Sequence, residues 1–161
     1  MKTPGYVIFD WGNTVMRDLE YPGPMKDWPL IELIPGIEVV LEKLKQRSRL
    51  VIATSAPHSN TADMREALRR GGVEQYFTLF FSSFELGCRK PDPAFFRSLI
   101  SELQCLPSEA ISIGDKYPND ISAAKTAGLG TIWFNESRLK GSYPDADYTI
   151  YNMAQLTEIF T

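Results

Sequence analysis

A single histidine and two cysteines, with no Cys-x-x-Cys pair, leave this 161-residue chain short of the donors a zinc site needs. Cys88 and Cys105 fit two reduced thiols better than a disulfide framework. No apolar run approaches the roughly 18 residues of a membrane span. Asp10 interrupts the N-terminal apolar stretch, so no signal-peptide core is expected and the cytoplasm is the expected compartment. With a net charge of -3 there is no basic field for a phosphate backbone, and nucleic acid is not indicated as a partner. Internal repeats are absent, and the one biased stretch is the short Tyr21-Pro22-Gly23-Pro24 loop. The 43% hydrophobic and 23% charged content is that of an ordinary globular chain, read as a single domain over 1–161.

What the chain does have begins at Val7-Ile8-Phe9-Asp10-Trp11-Gly12-Asn13-Thr14, an apolar run that ends in a carboxylate and a turn. A short β-branched and aromatic run of this kind predicts a buried strand, here 6–10. Leu50 to Thr54, Leu79 to Phe81, 111–113, Thr131 to Phe134 and Asp147 to Ile150 read as further strands, the last at an edge. Helical spacing of apolar residues recurs in Ile37/Val40/Leu41/Leu44, in Met64/Ala67/Leu68 after an Asn60 cap, and in Phe95/Phe96/Leu99/Ile100. A helix carrying Ile121, Ala124 and Ala127, and a closing helix from Met153 to Phe160, complete the pattern. Strands alternating with helices predict an α/β fold: a three-layer, Rossmann-like parallel sheet flanked by helices, with no separate cap domain. Right-handed crossovers would bring the strand ends after Asp10, Thr54 and Asp115 to one edge. About 15–32 should form a short loop, a minimal cap over that edge, with Trp28 either anchoring it or touching ligand.

Four segments stand in order along the chain: Asp10 after the first strand, Thr54-Ser55 after the second, Lys90 within Arg89-Lys90-Pro91-Asp92-Pro93, and Gly114-Asp115 with Asp120 five positions on. Together they resemble the haloacid dehalogenase-like hydrolase superfamily, mostly phosphatases that work through an aspartyl-phosphate. The resemblance implies Asp10 as nucleophile, Thr54 as phosphate-binding hydroxyl assisted by Ser55 and Asn13, and Lys90 as the cation that offsets charge. It also implies Asp10, Asp115, Asp120 and the carbonyl of Gly12 around a magnesium ion. A carboxylate attacking a phosphate is a meeting of anions, which a divalent cation must bridge, and magnesium takes hard oxygen donors. Taken alone, Thr54 would pass for a β-former and Asp120 for a surface carboxylate on a first helical turn.

One departure bears on the chemistry. Two positions after the nucleophile the family usually carries a second aspartate, the general acid/base, and here that position is Gly12. Losing it should hurt alkyl phosphates most, because an alkoxide is a poor leaving group. His58, just beyond the second strand, is one candidate replacement; a surface histidine at a helix start is the plainer reading. The expected activity is therefore a magnesium-dependent phosphatase with altered acid/base catalysis, acting on a phosphorylated small molecule or something larger. The alternative is a catalytically weak binding or regulatory protein. An open site also raises a homo-oligomer that borrows a lid from its partner.

Overall fold

The computed structural model describes residues 1–160. Six parallel strands form one sheet: β1 (Tyr6–Phe9), β2 (Arg49–Thr54), β3 (Leu79–Ser82), β4 (Ala110–Gly114), β5 (Gly130–Phe134) and β6 (Tyr148–Ile150). Their order is β3-β2-β1-β4-β5-β6. From β1 the chain steps outward to β2 and β3, then returns to the other side of β1 for β4. The direction of winding therefore reverses between β1 and β4, where open α/β sheets form a crevice at their strand ends.

Side-chain alternation in β1 divides the core in two. Val7 and Phe9 face the layer that holds α1 (Ile37–Leu44), α2 (Thr61–Arg70) and the chain end. Ile8 faces the layer built on α4 (Ala94–Leu103), which follows the single turn α3 (Ser83–Leu86), and on α5 (Ala123–Thr126). The predicted apolar stripes are buried: Ile37, Val40, Leu41 and Leu44 in α1, and Phe95, Phe96, Leu99 and Ile100 in α4. Asn60 caps α2 by accepting the Asp63 N–H at 2.9 Å, and Asp63 returns the bond to the Asn60 N–H at 3.1 Å.

Three expectations need correction. The first strand stops at Phe9, although the Asp10 N–H still donates to the Ile113 carbonyl at 2.9 Å. The helix expected around Ile121 opens as a wide π-type turn, Tyr117–Ser122, before α5. There the Ala123 N–H reaches five residues back to the Pro118 carbonyl, and this wider winding leaves Asp120 and Ile121 both buried. The closing segment is a 3-10 turn, Met153–Gln155, capped by Asn152, followed by the short helix α6 (Leu156–Ile159).

The stretch between β1 and α1 contains only one turn of 3-10 helix, Met25–Asp27. Its two ends are tied together: the Arg17 N–H donates to the Glu32 carbonyl at 2.7 Å and the Ile34 N–H to the Val15 carbonyl at 3.0 Å. Its middle is fastened to α2, where Arg70 donates to the carbonyls of Lys26 and Trp28, both at 2.7 Å. A Lys26–Asp63 ion pair at 3.1 Å reinforces the contact. Trp28 is buried, donates its indole N–H to the Gly23 carbonyl and stacks edgewise on Tyr21. Among the described residues no helix is long and apolar enough to cross a membrane.

Candidate active site

The residues that the sequence singles out meet at the crevice beside β1 and β4. Asp10 leaves β1, Asp115 leaves β4, and Asp120 comes back from the wide turn; one oxygen of each lies within 4.8 Å of the others. Lys90 stands among them, 5% exposed, with all three ammonium hydrogens committed. It donates to Asp10 Oδ1 at 3.0 Å, to the Ala53 carbonyl at 3.0 Å and to Asp120 Oδ1 at 2.8 Å. The rings of Phe95 and Phe96 lie 5.4 and 5.9 Å from the ammonium. So little freedom makes Lys90 a fixed charge that orients Asp10.

Asp120 is almost wholly buried, which overturns its reading as a surface carboxylate. Its second oxygen accepts the Lys116 N–H at 3.0 Å, and its carbonyl accepts the Ser112 hydroxyl at 2.9 Å. Gly114 is what lets it come in: a methyl group there would overlap the Asp120 side chain outright. Thr54 is buried at the end of β2, and its Oγ1 accepts the Ala56 N–H at 3.0 Å, which leaves its own hydrogen to donate. Ser55 Oγ accepts the Lys90 N–H at 2.9 Å and so holds the lysine's own backbone in place.

Sequence reasoning passed over Thr14. Its hydroxyl sits 3.3 Å from Asp10 Oδ2 and 3.2 Å from Asp115 Oδ1, bridging the two carboxylates from a fully buried position. It is placed by the turn after Asp10, where Asn13 adopts φ 57° and the N–H groups of Thr14, Val15 and Met16 all fold back on the Trp11 carbonyl. Trp133 was also missed, and nothing local would have revealed it. Its indole N–H donates to the Asp115 carbonyl at 2.9 Å from the neighbouring strand.

The electrostatics show an excess of negative charge. Burial, then the charge of Asp10 beside it, pushes the Asp115 carboxyl up to about 8. Burial also pushes Asp120 up, to about 6, with Asp10 adding to the rise and Lys90 opposing it. Burial alone would lower Lys90, but Asp10 and Asp120 outweigh it and hold the lysine above its ordinary value. Asp115 and Asp120, both held back from ionising by burial, complete with Asp10 a set of three hard oxygen donors that a divalent cation fits.

A cleft of about 380 Å³ opens over this floor. Asp10, Gly12, Asn13, Thr54 and Ser55 line its base, and Asp18, Tyr21, Met25 and Trp28 of the 15–32 stretch form one side. His58 is exposed and also lines it. Cys88 is half-buried elsewhere, with its thiol toward Ser98.

Comparison with known proteins bears on the family and the fold. A model of the haloacid dehalogenase-like hydrolase family matches residues 13–134, beginning just past Asp10. The glyceraldehyde 3-phosphate phosphatase of Pyrococcus furiosus is 32% identical over 132 residues, 78% of this chain and 53% of that protein. The phosphoserine phosphatase of Thermus thermophilus is 30% identical over 129 residues, 80% of this chain and 50% of that one. The chain thus spans about half the length of the curated relatives it matches. Among solved structures, an uncharacterized protein from Listeria monocytogenes serotype 4b superposes with a TM-score of 0.83 at 26% identity, covering 96% of this chain and 95% of that one. Fold, sequence match and strand-end carboxylates agree, and the chain belongs to the haloacid dehalogenase-like hydrolase family.

Proposed function

We propose that this chain is a magnesium-dependent phosphatase that hydrolyses phosphoric monoesters through an aspartyl-phosphate on Asp10. The observation that carries the reading is the Lys90 ammonium, which ties Asp10 to the buried Asp120 at the mouth of the β1/β4 crevice. Hydrogen bonds to Lys90 and Thr14 orient the Asp10 carboxylate for in-line attack. Thr54 has a hydroxyl hydrogen to give to a phosphoryl oxygen, as has Ser55, and Asn13 lines the same floor.

Asp10, Asp115 and the Gly12 carbonyl would hold magnesium, with Asp120 beside them anchoring Lys90. Bound there, the ion neutralises charge between nucleophile and phosphate. In this arrangement Asp120 acts mainly through Lys90, since both of its oxygens already accept hydrogen bonds.

The two relatives named above act on glyceraldehyde 3-phosphate and phosphoserine. Both are small alkyl phosphate monoesters, and the same chemical class is proposed here. The reading is tested by hydrolysis of 4-nitrophenyl phosphate and a panel of alkyl phosphates, with magnesium and with chelator. Turnover should require magnesium and vanish in Asp10→Asn. If magnesium and inorganic phosphate raise the melting temperature without any turnover, the chain binds such ligands but is not a phosphatase.

A further inference from the structure

We propose that Asp18 is the general acid/base, replacing the carboxylate that Gly12 lacks; the assignment rests on the phosphatase reading above. The structure marks the replacement by position. A methyl group built on Gly12 would touch one side chain from outside its immediate neighbours, the Cβ of Asp18 at 3.9 Å. The space left by the missing side chain is therefore bordered by the Cβ of another acidic residue, and Asp18 lines the same cleft as Asp10 and Gly12.

Asp18 is also held. Its N–H donates to Asn13 Oδ1 at 2.9 Å, and Asn13 is set for this by its left-handed backbone, φ 57°. Asp18 Oδ1 accepts the Glu20 N–H at 2.9 Å. Among the described residues Oδ2 has no such partner and is left to exchange a proton. The flanking chain is pinned by the Arg17–Glu136 ion pair at 2.6 Å and by the Arg17 N–H bond to Glu32. Thr14, the hydroxyl that bridges Asp10 and Asp115, is already committed to two carboxylates and its alcohol is too weak an acid. His58 and Asp18 are both exposed and both line the cleft, but only Asp18 borders the Gly12 gap.

In the first step an Asp10 oxygen bonds to phosphorus as the ester bond breaks. The bonding pair leaves on the alkoxide oxygen, which takes the proton from the Asp18 carboxyl. In the second step a water oxygen attacks the phosphorus of the acyl phosphate and gives its proton to the Asp18 carboxylate. Inorganic phosphate leaves, the Asp10 carboxylate is restored, and Asp18 is again protonated. The sum is ester plus water giving alcohol plus phosphate.

The test compares kcat on an alkyl phosphate and on 4-nitrophenyl phosphate across four proteins: wild type, Asp10→Asn, Asp18→Asn and Asp18→Asn with Gly12→Asp. Asp18→Asn should lower kcat at least about 10²-fold on the alkyl ester but under about tenfold on the aryl ester, whose leaving group needs no acid. One limb of the alkyl pH–rate profile should vanish with it. Adding Gly12→Asp should bring alkyl turnover back, because that backbone accepts a side chain and the new carboxylate occupies the same gap. Equal losses on both substrates, or an unchanged alkyl rate while Asp10→Asn is dead, would remove Asp18 and leave the phosphatase reading standing. Turnover that survives Asp10→Asn would overturn that reading, and the Asp18 proposal with it.

Discussion

An ammonium with no spare hydrogen is an unusual thing to find on the floor of an open cleft. Lys90 is fixed by two carboxylates and the Ala53 carbonyl, so its removal would leave Asp10 and Asp120 facing each other with nothing between them. Breaking a buried pair from one side typically costs about 3–5 kcal/mol. Lys90→Met should therefore lose about that much stability at pH 8, measured by urea unfolding, together with turnover. The deficit should shrink toward pH 5, because Asp120, already raised to about 6, takes up a proton and no longer needs the cation. At this scale much of the site was legible. Asp10, Thr54, Lys90, Asp115 and Asp120 each follow a strand or sit in a distinctive local run. Burial was not legible, and burial decided between the two readings of Asp120. Thr14 escaped because a threonine in a turn carries no mark of its own, and its role exists only once β4 brings Asp115 to it.

Elements differ in how much of their geometry is written locally. The stripes of α1 and α4 follow from apolar periodicity and are buried as expected. The wide turn at Tyr117–Ser122 does not follow from periodicity: its winding satisfies a buried Asp120 and an Ile121 in the core at once. The same turn depends on Gly114. Gly114→Ala should cost about 1–3 kcal/mol by overpacking, and should displace Asp120 and hence Lys90. Its turnover should fall further than its melting temperature suggests. Gly12→Ala is the contrast, since its methyl meets only an ordinary contact and stability should stay within about 0.5 kcal/mol. For the loop over the cleft, Arg70→Ala removes the donor to Lys26 and Trp28. A hydrogen bond from a charged group is worth about 1.5 kcal/mol, so amides at Asp27 and Trp28 should exchange about tenfold faster while β1 and β4 do not change.

Taken as a whole, the molecule carries a site that opposes its own folding until the charge is met. Asp115 binds its proton far more tightly folded, at about 8, than in an unfolded chain, so the folded state holds more protons between those values. Metal-free protein should therefore lose stability as pH rises from about 4 through 8. Magnesium competes with that proton, so its increment in melting temperature should be larger at pH 8 than at pH 5; an increment independent of pH would contradict the coupling. The strand order behind this crowding was beyond single-sequence reading. Each strand could be read singly, but the reversal at β1/β4 is set by long-range pairing, such as Phe9 with Ile113. The tied ends of the 15–32 stretch carry a further consequence. Because Arg17–Glu32 and Val15–Ile34 already close it at its base, the part beyond Asp18 is a socket held by that base and by Arg70 of α2. Each doubling of its length adds only about 0.6 kcal/mol of closure entropy. A longer lid, or a small folded module, could be grafted there to change what the cleft admits while the sheet beneath keeps its register.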